Sequence, residues 1–291
     1  MDKGASLLTD RGVIKVTGEA EAFLHKLVTN SMLDIAPGEA RYAGLLSPQG
    51  KLLFDFFIVP LPEGAAAGYY FDCMKEQTTD LVKRVNFHKM RAKITLEDVS
   101  DTLGVAAFWG QEAPQGAEGT VFKDSRSDNM GFRLIAPHAA LAKLATAQGE
   151  AYEEHRIAEG VPKGGIDFPY GDTFVHDANL DAMHAVDFKK GCYVGQEVVA
   201  RVHFRKSARK RIVKVHFNGP APTPGSDILF GDVAIGQIGS IAGSEGLAML
   251  RLDRVDDAKA AGAPLKAGEA TLDVTVPPEF VETAAGGEKR L

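Results

Sequence analysis

Eight consecutive residues, Lys190-Gly191-Cys192-Tyr193-Val194-Gly195-Gln196-Glu197, combine a cation, two glycines, a thiol, a phenol, an amide and a carboxylate. The thiol is one of two in the chain. A thiol acts as nucleophile or metal ligand in its thiolate form, and a nearby cation favours that form. Lys190 and the basic run downstream would supply it, and a helix over Tyr193–Val199 would add its positive end. The plainer reading of Cys192 is a small buried side chain behaving as a hydrophobe. The paired glycines imply a tight turn or the close approach of something to the backbone. Gln196 and Glu197 read as hydrogen-bonding partners of a heteroaromatic ligand, because an amide donates and accepts in one plane. They read equally as caps of a turn and a first helical turn. A papain-like triad is disfavoured, since no spacing ties His176, His184 or His203 to the thiol.

Three further segments carry ionisable groups. Arg201-Val202-His203-Phe204-Arg205-Lys206-Ser207-Ala208-Arg209-Lys210-Arg211 is a cationic island, with no Asp or Glu between Glu197 and Asp227. It suits a phosphate, a polyanionic tail such as polyglutamate, or RNA; the bland alternative is a solvated face with a basic linker. Phe174-Val175-His176-Asp177-Ala178-Asn179-Leu180-Asp181 places two acids in a Gly-flanked irregular stretch. A carboxylate there would pair with ring nitrogens of a ligand, or simply cap a turn. Asp55 sits in the apolar run Leu52–Val59, where alternation puts Leu53, Asp55 and Phe57 on one face. An acid among apolar groups is a functional or partnered acid rather than a solvated one.

The elements that position these residues follow from periodicity. Strands are expected over 6–16, a helix over 18–33, a hairpin over 43–59 turning at Ser47-Pro48-Gln49-Gly50, a strand at 69–73, a helix over 76–89 and a strand over 92–99. Strands at 103–109 and 131–135 follow, with a loop over 111–119 and helices over 137–148 and 151–159. Residues 160–187 are long and irregular, which in a compact chain points to function. Beyond 207, short strands at 227–230, 233–240, 246–252 and 271–276 separated by glycine turns indicate a small barrel or sandwich. The stretch from Gly286 reads as a frayed tail.

The 291 residues, 45% hydrophobic and 25% charged, describe an ordinary globular composition. A net charge of −6 argues against coating nucleic acid through the overall field. No apolar run approaches transmembrane length and no secretory signal is read at the N-terminus. Two cysteines without a disulfide framework suggest a cytoplasmic protein with reduced thiols. No metal motif is evident, and no permanently bound metal is expected.

These segments together resemble the YgfZ-like folate-binding proteins, relatives of the aminomethyltransferase (T-protein) of the glycine cleavage system. The family hallmark K-G-C-[YF]-x-G-Q-E is matched without departure at 190–197. The run Val16–Leu27 is similar to the family's V-x-G-x-x-x-x-F-L-x-x-L, Tyr42–Lys51 to its hairpin, Arg156–Pro162 to R-I-x-x-G-x-P, and Gly236–Leu252 to its C-terminal segment. The resemblance implies an α+β, aminomethyltransferase-like fold of three domains around a central channel, with a small C-terminal β-barrel. The expected boundaries are 1–98, 99–206 and 207–291, with the first two domains able to interleave.

It further implies a tetrahydrofolate-binding factor for assembly or repair of iron–sulfur proteins, with effects on tRNA thiolation. Folate and iron–sulfur client or assembly proteins are the implied partners. Asp55 matches a T-protein catalytic Asp, although T-proteins read Asp-Asp where this chain reads Phe54-Asp55. Asp177 matches the pterin-binding Glu, one methylene shorter. Cys192, absent from T-proteins, and Asp55 are the expected reactive residues. Asp177, Tyr193, Gln196, Glu197 and Lys190 are expected around the folate, with Arg201 and Arg211 for its glutamate tail. The alternatives are a tetrahydrofolate-dependent one-carbon transferase and an RNA-binding adaptor using residues 201–214.

Overall fold

The computed structural model describes residues 3–36, 38–62, 64–144 and 149–285, with the side chains of 282–285 excepted; the expected tail from Gly286 lies outside them. The chain folds as two compact units, one of residues 1–47, 53–152 and 183–194, the other of 48–52, 153–182 and 195–291. The first contains β1 (Gly4–Leu7), β2 (Arg11–Gly18), α1 (Glu21–Leu27), β3 (Arg41–Leu46), β4 (Leu52–Pro60), β5 (Gly68–Met74), α2 (Thr78–Lys89), β6 (Ile94–Asp98), β7 (Leu103–Trp109), β8 (Thr120–Lys123), β9 (Phe132–Pro137) and α3 (His138–Leu144). Helix α4 (Gly149–Ala158) leads into the second. There the chain forms α5 (Gln196–Phe204), β10 (Lys210–Asn218), β11 (Asp227–Phe230), β12 (Val233–Ala242), β13 (Glu245–Arg251), α6 (Leu252–Ala261), β14 (Leu265–Ala267), β15 (Ala270–Thr275) and α7 (Pro278–Ala285).

In the first unit a five-stranded sheet runs β3-β4-β5-β2-β6 and a four-stranded sheet runs β1-β7-β9-β8. Strand β1 pairs with β7 although nearly a hundred residues separate them, so the two sheets interleave in sequence. Side-chain alternation splits the five-stranded sheet into two faces. Phe54, Phe56 and Ile58 of β4, with Phe71 and Cys73 of β5, pack under Leu24 and Leu27 of α1 and Leu81 and Val85 of α2. Tyr42, Asp55, Phe57, Asp72 and Arg11 take the opposite parity and meet residues of β8, β9 and their connection.

That meeting is charged and buried. Arg133 donates to Asp72 at 2.6 Å, to Asp124 at 2.9 Å and to the Tyr152 hydroxyl at 2.8 Å. Arg126 forks onto Asp124 at 2.9 and 2.7 Å, and Arg11 reaches Asp72 at 2.5 Å. Burial by itself would raise the Asp124 carboxyl, but Arg126 and Arg133 outweigh it and hold the group below the usual range. Burial by itself would lower Arg11, but Asp72 and Asp55 hold it raised.

Two expectations change. The helix expected over 18–33 spans only 21–27, because Val28 turns extended and forms a bridge with Leu45. A tertiary pairing there replaces further helical turns. Strand β8 has no counterpart in the sequence pattern; four residues next to a Gly-rich loop become a strand by pairing with β9.

The second unit is built on a closed barrel in the order β10-β13-β12-β11-β14-β15. Val213, Val215 and Phe217 of β10, Ile228, Ile238 and Leu250 fill it, with Leu252 and Val255 of α6 in the same cluster. The expected strands at 227–230, 233–240, 246–252 and 271–276 correspond to β11, β12, β13 and β15. Closure also needs the three-residue β14, which pairs β11 with β15. The fully buried Arg156 ties α4 and the irregular segment to β12 through Glu153 (2.6 Å), Asp167 (3.1 Å) and Ser240 Oγ (2.6 Å).

Removing the cation shared by two buried carboxylates leaves each with a single arginine and breaks the link between them. Arg133→Leu should therefore destabilise the fold by about 3–5 kcal/mol, seen as a lower urea midpoint. Arg126→Leu, which leaves Arg133 on Asp124, should cost less.

Candidate functional site

The candidate residues fall on both units, and each group is built locally. In the first unit the stretch 183–194 is sewn to Thr29 and Asn30. Thr29 Oγ1 donates to the Ala185 carbonyl at 2.6 Å, Asn30 Nδ2 donates to the His184 and Tyr42 carbonyls at 2.8 and 2.9 Å, and Asp187 N–H donates to the Thr29 carbonyl at 3.1 Å. Asp187 in turn accepts the backbone N–H groups of Lys189 and Lys190, at 2.8 and 3.1 Å. The Lys190 ammonium donates to the carbonyls of Val28 and Asn30, 2.7 Å each, and lies 5.2 Å from the Tyr193 ring centroid. Burial draws it down to about 8, with Asp187 opposing. Burial, then Asp187, pushes the Tyr193 phenol up to about 12.

Lys190 is thus an anchor. Beyond it Gly191 has nothing within 4 Å of where a Cβ would stand, and Cys192 is exposed. The reading of Cys192 as a small buried hydrophobe is corrected. That description fits Cys73 instead, which is buried against the Gly12 carbonyl and pushed up to about 12 by desolvation.

Helix α5 starts at Gln196, not at the expected Tyr193. Gly195 takes φ +80°, a left-handed conformation that delays the helix and that side chains other than glycine adopt at a cost. Gln196 is half-buried and Glu197 exposed. Glu197 pairs with Arg201 one turn on, at 2.9 Å, as an exposed i,i+4 pair. In the first unit's polar network, Asp55 is 5% exposed and accepts the Tyr42 hydroxyl at 2.5 Å. The partnered acid expected from alternation is present; its partner Tyr42 was not foreseen.

In the second unit the segment 174–181 is docked on the start of β10. Asn179, at φ +59°, donates from Nδ2 to the Ile212 carbonyl at 2.7 Å and accepts the Ile212 N–H at 3.3 Å. Arg211 forks onto Asp181 at 2.6 and 2.9 Å, donates to the His176 carbonyl at 2.8 Å and lies over the Phe280 ring. Arg211 is therefore an internal brace, which differs from the tail-binding role expected of it. Alternation at the start of β10 turns it inward while Lys210 and Arg209 stay exposed.

Asp177 remains half-buried between these clamps. Burial raises its carboxyl, outweighing Lys210, Arg211 and Lys51, which favour the charged form. Lys51 stands 3.7 Å over the Phe174 ring and reaches Asp172. Its place follows from the hairpin turn, where Leu52 N–H donates to the Thr173 carbonyl and Gly171 N–H to the Leu52 carbonyl, 2.8 Å each. Lys51 was missed as a site residue, because a lysine following a turn glycine carries no signal until the irregular segment folds onto it; Lys210 stood in the cationic island but was not tied to Asp177. Among the described residues no three His, Cys, Asp or Glu side chains group as a metal site, and no helix is long and apolar enough to cross a membrane.

Human iron–sulfur cluster assembly factor IBA57, mitochondrial, is 30% identical over 278 residues, covering 85% of this chain and 77% of the human protein. The mouse protein of the same name is 31% identical with the same coverages. The chain belongs to the IBA57 family. An IBA57 homologue of Mycosarcoma maydis is 35% identical over 223 residues. The chain spans 55% of that fungal protein and 60% of the Coccidioides immitis homologue. Residues 209–281 match the family model described as CAF17, C-terminal beta-barrel domain, which coincides with the closed barrel. The fold is that of the T-protein: the glycine cleavage aminomethyltransferase of Bartonella henselae superimposes with a TM-score of 0.75, covering 97% of this chain and 87% of that one at 16% identity. The names of the relatives place those proteins in mitochondria, whereas thiol usage suggested the cytoplasm here.

Two measurements check this geometry of the IBA57-family chain. An aromatic disulfide reagent should titrate one thiol in the native protein, Cys192, and both only after denaturation. The second concerns His176, buried and lowered to about 4 by desolvation, with Asp181 opposing and Arg211 and His203 reinforcing. An unfolded histidine protonates near 6.5, so between that pH and about 4 the unfolded state holds the extra proton. Stability should fall as pH drops through that window, by about 3 kcal/mol from this group at pH 4. His176→Gln should show a correspondingly shallower loss in urea midpoint on acidification.

Proposed function

We propose that this chain is a tetrahydrofolate-binding factor in the assembly or repair of iron–sulfur proteins, with Cys192 as its reacting group. The observation that carries the proposal is the exposed Cys192, held out by a rigid anchor at Asp187 and Lys190. Burial keeps Cys73 a thiol, so Cys192 is the sulfur able to meet iron. Cluster iron takes several thiolate ligands, so the others come from the client or from an assembly partner, and the cluster is cargo rather than a resident group. The open space at Gly191 admits that partner. Enzymes that thiolate tRNA are the client class this reading favours, in a compartment that keeps the thiol reduced, such as the cytoplasm.

The folate part rests on Asp177. A half-buried carboxyl that feels the charges of Lys51 and Lys210 suits a pterin N–H edge with a glutamate tail close by. Arg201 can join the tail, because its exposed pair with Glu197 is worth less than about 1 kcal/mol and is readily exchanged. When bound, tetrahydrofolate would supply a carrier for one-carbon units. The burial of Asp55 and its hydrogen bond from Tyr42 favour the assembly reading over aminomethyl transfer, which needs a carboxylate open to substrate. A second reading, an RNA adaptor, is favoured by one observation: Phe204 is 75% exposed beside Arg205, Lys206, Arg209 and Lys210, a pairing of aromatic ring and cations that stacks a base.

Isothermal titration with tetrahydrofolate tests the first reading. Asp177→Ala should weaken binding by about tenfold or more, the loss of one charge-assisted contact. Cys192→Ala should bind folate like the parent and fail to restore a client iron–sulfur enzyme in cells. Gly191→Val should keep parental stability and also fail with the client. No heat at high micromolar tetrahydrofolate would sink the folate claim, and full client activity in Cys192→Ala would sink the thiol claim. For the adaptor, RNA binding with a steep salt dependence supports it and no gel shift at low salt dismisses it.

A further inference from the structure

One face of α2 and the turn after it form a surface that neither the thiol segment nor the folate residues use. Asp80, Lys83, Arg84 and Phe87 are spaced i, i+3, i+4 and i+7, so they share one face of the helix. With Phe54 of β4 they line a groove of about 420 Å³. Phe87 is 77% exposed and Met90, just past the helix, is 89% exposed. Two large apolar side chains held in water at one helix end are not explained by the core, which α2 fills with Leu81 and Val85. Met90 also adopts φ +41°, where a non-glycine residue is strained, so a less costly residue at this corner would have been glycine.

Charge identifies what fits. From Leu81 to Leu96 the chain carries Lys83, Arg84, Lys89, Arg91 and Lys93 and no acid. In a protein of net charge −6 this is a local inversion of sign. Asp80 pairs with Lys83 at 3.1 Å, but both side chains are mostly exposed and such a pair contributes little. Arg84, Arg91 and Lys93 are exposed as well. A cationic rim calls for carboxylates, and an apolar floor at Phe54 calls for one inserted side chain.

We infer that this face docks an acidic segment of a partner protein, which places an aliphatic or aromatic anchor between Phe54 and Phe87 and its carboxylates against Arg84, Lys83 and the turn at Arg91 and Lys93. Concavity separates this occupant from a lipid surface: an anionic bilayer would engage Phe87 and Met90 as a convex tip and leave the groove over Phe54 unfilled. Aromatic and arginine side chains together at a rimmed pocket are the usual energetic centre of a protein interface.

The test uses the full chain and a fluorescein-labelled acidic peptide of about a dozen residues carrying a Leu and a Phe one helical turn apart, the length that spans three turns. Fluorescence anisotropy at low salt should show saturable binding. Phe87→Ser and Arg84→Glu should each weaken it by about tenfold or more, with unchanged thermal midpoints because both side chains are exposed. Replacing the peptide's Leu and Phe by Ser should weaken it similarly, and Cys192→Ala should leave it unchanged. Binding insensitive to both protein variants overturns the inference. So does absence of peptide binding together with Phe87-dependent sedimentation on phosphatidylserine vesicles, which assigns the face to a membrane. Absence of peptide binding with self-association lost in Phe87→Ser assigns it to a second copy of this chain and overturns the inference too.

Discussion

Arg133 stands between two carboxylates that water does not reach, and the first unit is arranged around that fact. Asp72 lies in the five-stranded sheet, Asp124 beside the four-stranded one, and a single guanidinium serves both. Each acid carries a second arginine, Arg11 on Asp72 and Arg126 on Asp124. The charges therefore nearly balance within the network, which is the condition under which buried ions are tolerated. Because this face of the sheet is polar, alternation sends Phe54, Phe56 and Ile58 to the other side, where α1 and α2 cover them. Asp55 then finds itself on the charged side, next to Tyr42, with Arg11 near enough to feel its charge. One pairing scheme thus decides which β4 residues are core and which could serve chemistry.

The thiol segment shows how a short stretch can be both rigid and exposed. Rigidity comes from behind: Asp187 caps two backbone N–H groups, and Lys190 binds two carbonyls at the point where α1 has given way to extended chain. Exposure comes from the two glycines, which act differently. Gly195 supplies a left-handed turn that postpones α5, while Gly191 makes no conformational demand and simply leaves room. The second unit uses a related device at Asp177, where Asn179 and Asp181 clamp the loop to β10 on one flank and leave the acid between them half-buried. In both places backbone hydrogen bonds hold the frame, and the side chain of interest is left outside it.

Much of this was legible in the residues. The barrel strands announced themselves through alternation and glycine turns. Asp55 was identifiable as a partnered acid because its parity placed it with Leu53 and Phe57. The octapeptide drew attention by composition and carried the family resemblance. The errors share a cause. The helix read through to residue 33 ended at 27 because Val28 bridges Leu45, a partner seventeen residues away that no local periodicity contains. β8 is a strand only because β9 lies alongside. Arg211 looked like one more member of a cationic run, yet it is the member that β10 points inward to Asp181.

The sequence by itself determined the parts list: which segments are apolar on one face, where glycine permits a turn, that one thiol sits among polar groups, and that cations accumulate after Glu197. These depend on neighbours a few residues away, and local chemistry records them. Tertiary structure alone decided which charges are available. Lys190 became an anchor and Arg211 a brace, while Lys51 and Lys210 came to face Asp177. Whether a cation binds a ligand or a carbonyl depends on the burial and partners that distant segments supply, and desolvation makes that difference large. The same rule separates the two cysteines: identical in the sequence, one is sealed in a sheet and the other is held in the open.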